Sequence, residues 1–180
     1  MMRLRLLLAF FLLVGCGSGD SPRLKLFRAY QGKQLDLSGL AAAPTRSADS
    51  IVPFKQIKQQ YRYLSLTYLD ETCDVCRFKL QEWNRHAAEL PKSPALAYVI
   101  LFRGDDFETF RRMSLHRDTL YSDFLVVADP EKQFLIDNAT VPHELLDNTI
   151  LIDSAARMLL FGEPFATSAM TELYRRVCTQ

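Results

Sequence analysis

The apolar positions of this chain switch repeatedly between the two periods that separate strand from helix. Tyr63-Leu64-Ser65-Leu66-Thr67-Tyr68-Leu69 is rich in aromatic, leucine and threonine residues and predicts a strong strand ending at the acidic turn Asp70-Glu71. Directly after it, Cys76, Leu80, Trp83, Ala87 and Leu90 recur at steps of four and three. One apolar stripe of that kind predicts a helix that opens at Cys73 and Cys76, is capped by Thr72 and is stopped by Pro91 and Pro94. Leu96 to Phe102 is an unbroken apolar run, a buried strand ending at Gly104, after which Asp105 and Asp106 start a helix containing Phe107, Phe110, Arg111 and Met113. Phe124 to Ala128 reads as a third strand closed by Asp129-Pro130, Glu131 to Asn138 as a short helix, and Val141-Pro142 as a turn. Thr149 to Asp153 and Met158 to Phe161 are separated by Ser154-Ala155-Ala156-Arg157, a hairpin length. A last helix, Ser168 to Val177, turns Met170, Leu173, Tyr174 and Val177 inward.

Upstream the pattern is weaker. Leu24-Lys25-Leu26-Phe27 and Gln34-Leu35-Asp36-Leu37 alternate and predict edge strands or a hairpin joined through Gly32-Lys33. Ala41 to Ser50 has no clear period and reads as a loop, and Phe54, Ile57, Lys58 and Tyr61 predict a short helix with Pro53 near its first turn. Strands alternating with helices imply an α/β fold whose parallel sheet is covered on both faces, and the final hairpin adds antiparallel strands to make the sheet mixed.

The first residues follow a different logic. Met1-Met2-Arg3-Leu4-Arg5 is a short basic region, Leu6 to Val14 is nearly free of polar atoms, and Gly15-Cys16 follows, which are the parts of an export signal. The apolar run is too short to span a bilayer, which takes roughly 20 apolar residues. Leu13-Val14-Gly15-Cys16 resembles the lipobox of bacterial lipoproteins, which implies cleavage after residue 15 and lipidation of Cys16. Gly17-Ser18-Gly19-Asp20-Ser21-Pro22 suits a flexible tether. The expected organisation is a signal at 1–15, a lipidated tether and extension at 16–50, and one domain at 51–180. Its place is the cell envelope, outside the cytoplasm and held to a membrane by lipid. Gly17 where Asp would favour inner-membrane retention points to the outer membrane.

Composition narrows the function classes. Lys and Arg number 22 against 21 Asp and Glu, so no basic field exists for binding nucleic acid. With 48% hydrophobic residues and only 7 Gly and 8 Pro, the chain can bury a core. No glycine-rich phosphate loop and no Ser/His/Asp arrangement is present.

Of the 4 cysteines, Cys16 is committed to lipid, leaving Cys73, Cys76 and Cys178. Cys73-Asp74-Val75-Cys76 falls where a strand turns into a helix. Free N–H groups and the helix dipole at such a terminus stabilise a thiolate. Two intervening residues let the second sulfur come within disulfide range of the first. Cys73 can then attack a substrate disulfide and Cys76 can resolve the mixed disulfide. The same pair also admits an inert disulfide in a binding module, or half of a metal site, although zinc usually takes four ligands. His143, beside Pro142, reads first as a surface histidine, although a metal-delivery site would need a ligand such as it near the pair, and His86 and His116 read as solvent-facing. Cys178 reads as a free or buried thiol, and Trp83 as core.

Leu66 to Arg77, a strand running into Cys73-Asp74-Val75-Cys76-Arg77, together with Thr149 to Asp153, resembles thioredoxin-like proteins. The resemblance is particularly to membrane-tethered envelope thiol–disulfide oxidoreductases of the TlpA and ResA sort, and it runs from roughly Phe54 to Val177. The resemblance implies the thioredoxin-like fold, dithiol exchange by Cys73 and Cys76 without cofactor or metal, envelope proteins carrying disulfides or thiols as substrates, and an electron-donating partner. The sequence departs from the family at two places. Asp70-Glu71-Thr72 stands where the family has an aromatic-rich approach ending in Trp, and the position of the family's cis-proline falls near Asp147. In the family that loop receives the substrate peptide, so recognition is expected to differ here. Asp70, Glu71 and Asp74 oppose a thiolate at Cys73, which favours the disulfide and predicts a reductant closer to thioredoxin than to a strong oxidant.

Overall fold

The computed structural model describes residues 21–47, 50–104, 107–113 and 124–179. The export signal, Cys16, Asp105, Asp106 and His116 lie outside the described residues. The chain divides into two compact units, Met1–Tyr30 and Gln31–Gln180. Among the described residues no helix is long and apolar enough to cross a membrane.

In the first unit the described element is α1, Pro22–Tyr30, a helix where the alternation at Leu24–Phe27 predicted a strand. The reason is local. Pro22 suits the first helical position, the Leu24 N–H is accepted by the Ser21 hydroxyl at 3.2 Å, and the segment holds no β-branched residue. Four alternating residues are too few to outweigh those signals.

The second unit is built on a seven-stranded mixed sheet. Its strands are β1 (Pro44–Arg46), β2 (Ile51–Pro53), β3 (Tyr63–Asp70), β4 (Leu96–Arg103), β5 (Leu125–Ala128), β6 (Ile150–Asp153) and β7 (Met158–Phe161), in the order β2-β1-β5-β4-β3-β6-β7. β3 is parallel to β4 and β4 to β5, as the strand–helix alternation predicts, while β6 runs antiparallel to β3 and forms a hairpin with β7. The helices are α2 (Phe54–Gln60), α3 (Asp74–His86), α4 (Phe107–Met113), α5 (Gln133–Asp137), α6 (His143–Leu146) and α7 (Ser168–Cys178).

Two upstream expectations change. The stretch read as a loop contains β1, which pairs antiparallel with β2 and with β5. The sheet therefore starts ahead of residue 51, and the compact unit starts at Gln31. Three residues carry no readable period, so only their tertiary partners make them a strand. Residues 34–37 form no strand and make a single bridge, Gln34 to Arg157. Their alternation marked burial correctly, with Leu35 and Leu37 in the core. The main chain of Asp36, however, is satisfied by the Asn138 side chain, at 2.8 Å through its N–H and 2.7 Å through its carbonyl, instead of by a neighbouring strand.

β3 and β4 are buried along nearly their whole length, as central strands covered on both faces must be. Against one face the stripe of α3 packs: Leu80 and Trp83 are buried, and the Trp83 ring meets Phe124 and Phe165 edge-on at 5.6 and 5.1 Å. Tyr174 and Cys178 of α7 join the same core.

Candidate functional site

The parallel register of β3 and β4 sets Asp70 opposite Arg103 at the carboxyl end of the sheet. Their side chains pair at 2.7 Å. The other Asp70 oxygen accepts the Thr72 N–H at 2.9 Å and the Thr72 hydroxyl at 2.8 Å. Burial opposes ionisation of Asp70, but these bonds from Arg103 and Thr72 outweigh it and hold its carboxyl below the usual carboxylate range. Thr72 is thus engaged with Asp70 and is not the helix cap that the sequence predicts.

The cap is Cys73. Its backbone is extended, at φ −101° and ψ 114°, and its Sγ accepts the Cys76 N–H at 3.1 Å. The Cys73 carbonyl meanwhile accepts the N–H groups of Cys76 and Arg77, starting α3. A thiol sulfur therefore stands where Ser, Asp or Asn usually stands, facing the amino end of a helix of 13 residues. Negative charge forming on that sulfur meets an N–H already aimed at it.

Cys76 lies on the first turn, half-buried against the sheet, and both thiols are free. Burial pushes the Cys76 thiol up to about 11; its hydrogen bond with Cys73 and the charges of Cys73 and Asp70 act in the same direction, and the Asp70 N–H opposes them. In the acidic approach segment, Asp70 is paired with Arg103 instead of standing as an isolated charge.

The remaining candidates separate from this pair. Cys178 is buried near Ser93, at the opposite end of β4, where burial pushes its thiol up to about 11. His143 is exposed at the start of α6, and among the described residues no three His, Cys, Asp or Glu side chains gather into a set able to hold a metal ion. His86 is not freely solvent-facing: it stacks on Phe165 at 4.8 Å with its Nδ1 3.0 Å from Glu89. The segment before β6 reads Asp147-Asn148-Thr149, and the described peptide bonds are all trans.

Four residues around the dithiol carry no sequence signal of their role. Val75 and Phe78 are 74% and 61% exposed, an apolar pair beside the two cysteines. Arg103 and Lys79 look like ordinary surface cations in the sequence, and only the sheet register and the packing of α3 bring them to this end of the molecule. An open cleft of about 1150 Å³, lined by Lys55, Lys58 and Arg62 among others, lies at the other end of β3 and includes neither cysteine.

No protein-family model matches the sequence, and no curated protein matches it. Among solved structures the chain is similar to a proposed electron transfer protein from Aquifex aeolicus VF5, with a TM-score of 0.57 and 9% identity over 83% of this chain and 99% of that one. It is also similar to a thiol-disulfide oxidoreductase from Bacteroides fragilis NCTC 9343, with a TM-score of 0.51 and 19% identity over 72% of this chain and 95% of that one.

Proposed function

We propose that this chain, which has a thioredoxin-like fold, is a thiol–disulfide oxidoreductase of the bacterial envelope, working as a reductase of protein disulfides. The observation that carries the reading is Cys73 Sγ capping α3, 3.1 Å from the Cys76 N–H. In the first step the Cys73 thiolate attacks one sulfur of a substrate disulfide. A Cys73–substrate disulfide forms, and the other substrate sulfur leaves as a thiolate that takes up a proton. Cys76 then gives up its proton and attacks the Cys73 sulfur, closing the Cys73–Cys76 disulfide and releasing the second substrate thiol. The substrate gains two electrons and the protein loses two, so a partner dithiol must reduce Cys73–Cys76 before the next cycle.

We read the direction as reducing because burial pushes the half-buried Cys76 thiol up to about 11. A dithiol whose second thiol resists ionisation has a comparatively stable disulfide and is a better electron donor. The anchor is Cys16, whose lipid confines the dithiol to a membrane surface, with the outer membrane preferred. The substrates are envelope proteins with disulfides or thiols. Insulin reduction with the wild type and with Cys73→Ser is the test. The wild type turns over, and the variant loses activity to about a hundredth or less, since no other thiol can start the exchange. Equal rates in the two would overturn the assignment.

A binding module with an inert Cys73–Cys76 disulfide is the competing reading. It is favoured by one observation: the N–H groups of Asp147 and Asn148 are turned back onto the His143 and Leu145 carbonyls, so they offer nothing to a docking peptide.

A further inference from the structure

We propose that Lys79 is the positioning residue that fixes one wall of the dithiol site for polypeptide substrates. The inference rests on the oxidoreductase reading and adds to it the residue that governs substrate docking.

Lys79 follows Cys76 by one turn on α3, with its side chain only 16% exposed. A lysine ammonium is rarely drawn out of water without partners. Here it has two: it donates to the Asp147 carbonyl at 2.6 Å and pairs with Glu163 at 3.3 Å. Asp147 ends α6 just before β6, and Glu163 lies just past β7. One ammonium therefore ties the dithiol helix to the segments on both sides of the β6–β7 hairpin.

The tied loop is a neighbour of the dithiol. Leu66 of β3 pairs with Ile150 of β6, and Thr67 bonds Thr149 through their buried hydroxyls at 2.8 Å. The antiparallel direction then carries residues 147–149 alongside the end of β3, from which the chain turns into Cys73. Asp147 has its N–H on the His143 carbonyl at 2.8 Å, and Asn148 has its N–H on the Leu145 carbonyl at 3.1 Å. The Thr149 carbonyl accepts the Gly162 N–H at 2.7 Å. With the Asp147 carbonyl held by Lys79, these main-chain groups are committed inside the protein. An incoming chain meets a wall of fixed position, and Lys79 sets the distance of that wall from α3.

Such a wall matters only to a substrate large enough to touch helix and loop together. A polypeptide disulfide does; a small disulfide reaches Cys73 without it. Removing the ammonium leaves the loop to be ordered again at each docking event, which weakens binding of the large substrate and leaves the exchange step intact.

The experiment compares wild type, Lys79→Met, Lys79→Arg and Glu163→Gln with insulin and with oxidised glutathione. Lys79→Met is expected to raise KM for insulin about fivefold to tenfold, with kcat and the glutathione rate within about twofold of wild type. Lys79→Arg restores most of the loss, and Glu163→Gln, which keeps volume and removes one partner, raises KM by about twofold to threefold. Amide hydrogen exchange at Asp147 and Asn148 accelerates about tenfold in Lys79→Met. An unchanged insulin KM in Lys79→Met, an equal fall with glutathione, or unchanged exchange overturns the proposal while leaving the oxidoreductase reading in place. Should Lys79→Met not fold, Glu163→Gln decides by the same KM split. A folded wild type that reduces neither substrate overturns the oxidoreductase reading, and this one with it.

Discussion

At the scale of single residues, the two cysteines of the motif are placed in unlike surroundings. Cys73 receives an N–H on its sulfur, whereas Cys76 is set against the sheet, where burial pushes its thiol up to about 11. A raised thiol value means that the thiolate fraction below it grows about tenfold per pH unit. In a Cys73→Ser, Cys178→Ser double variant, alkylation of Cys76 by iodoacetamide should therefore keep rising through pH 8 and 9, with a midpoint well above the free-thiol value of about 8.5. A midpoint at or below that value would show that burial does not control Cys76. The motif itself was legible from the sequence, because its spacing and its place after a strand are local properties. That Cys73 and not Thr72 caps the helix was not legible, since both can accept a bond. The choice is made by Asp70, which holds Thr72 through two bonds while pairing with Arg103 from the next strand.

At the scale of elements, α3 joins chemistry to packing. Its polar end carries the dithiol, and its stripe presses Leu80 and Trp83 onto β3, β4 and the loop at Phe165. Trp83→Ala removes a wholly buried ring that contacts Tyr98, Phe124 and Phe165, and should cost about 3–5 kcal/mol, read as a lower denaturant midpoint with the slope unchanged. A loss under about 1 kcal/mol would mean that the ring is not part of a close-packed core. This stripe was legible because Cys76, Leu80 and Trp83 repeat at helical spacing, although α3 ends at His86 and the predicted continuation through Ala87 and Leu90 is a 3-10 turn, Ala87–Glu89, and the residue that caps it. α1 was not, because Leu24–Phe27 is one short alternation and its helix is set by Ser21 and Pro22. β1 was not, because three residues become a strand only when β2 and β5 lie beside them.

At the scale of the whole molecule, the mixed sheet keeps the reactive thiols at the carboxyl end of β3 and leaves Cys178 buried at the far end of β4. Under the proposed exchange chemistry, that separation keeps a third thiol from diverting the dithiol. The order of strands and helices foretold the parallel centre of the sheet and the final hairpin. It could not foretell Lys79 or Arg103, because their partners are distant in sequence and meet them only through register and helix packing. The reductase reading turns on the stability of a single bond, Cys73–Cys76. The most direct measurement equilibrates the protein with dithiothreitol and glutathione buffers of graded potential and counts free thiols by alkylation mass shift. A single two-electron transition near the thioredoxin value of about −270 mV is the predicted result. A transition near the strongly oxidising −120 mV would contradict the reductase direction, and a bond that never forms or never opens would contradict the exchange chemistry altogether.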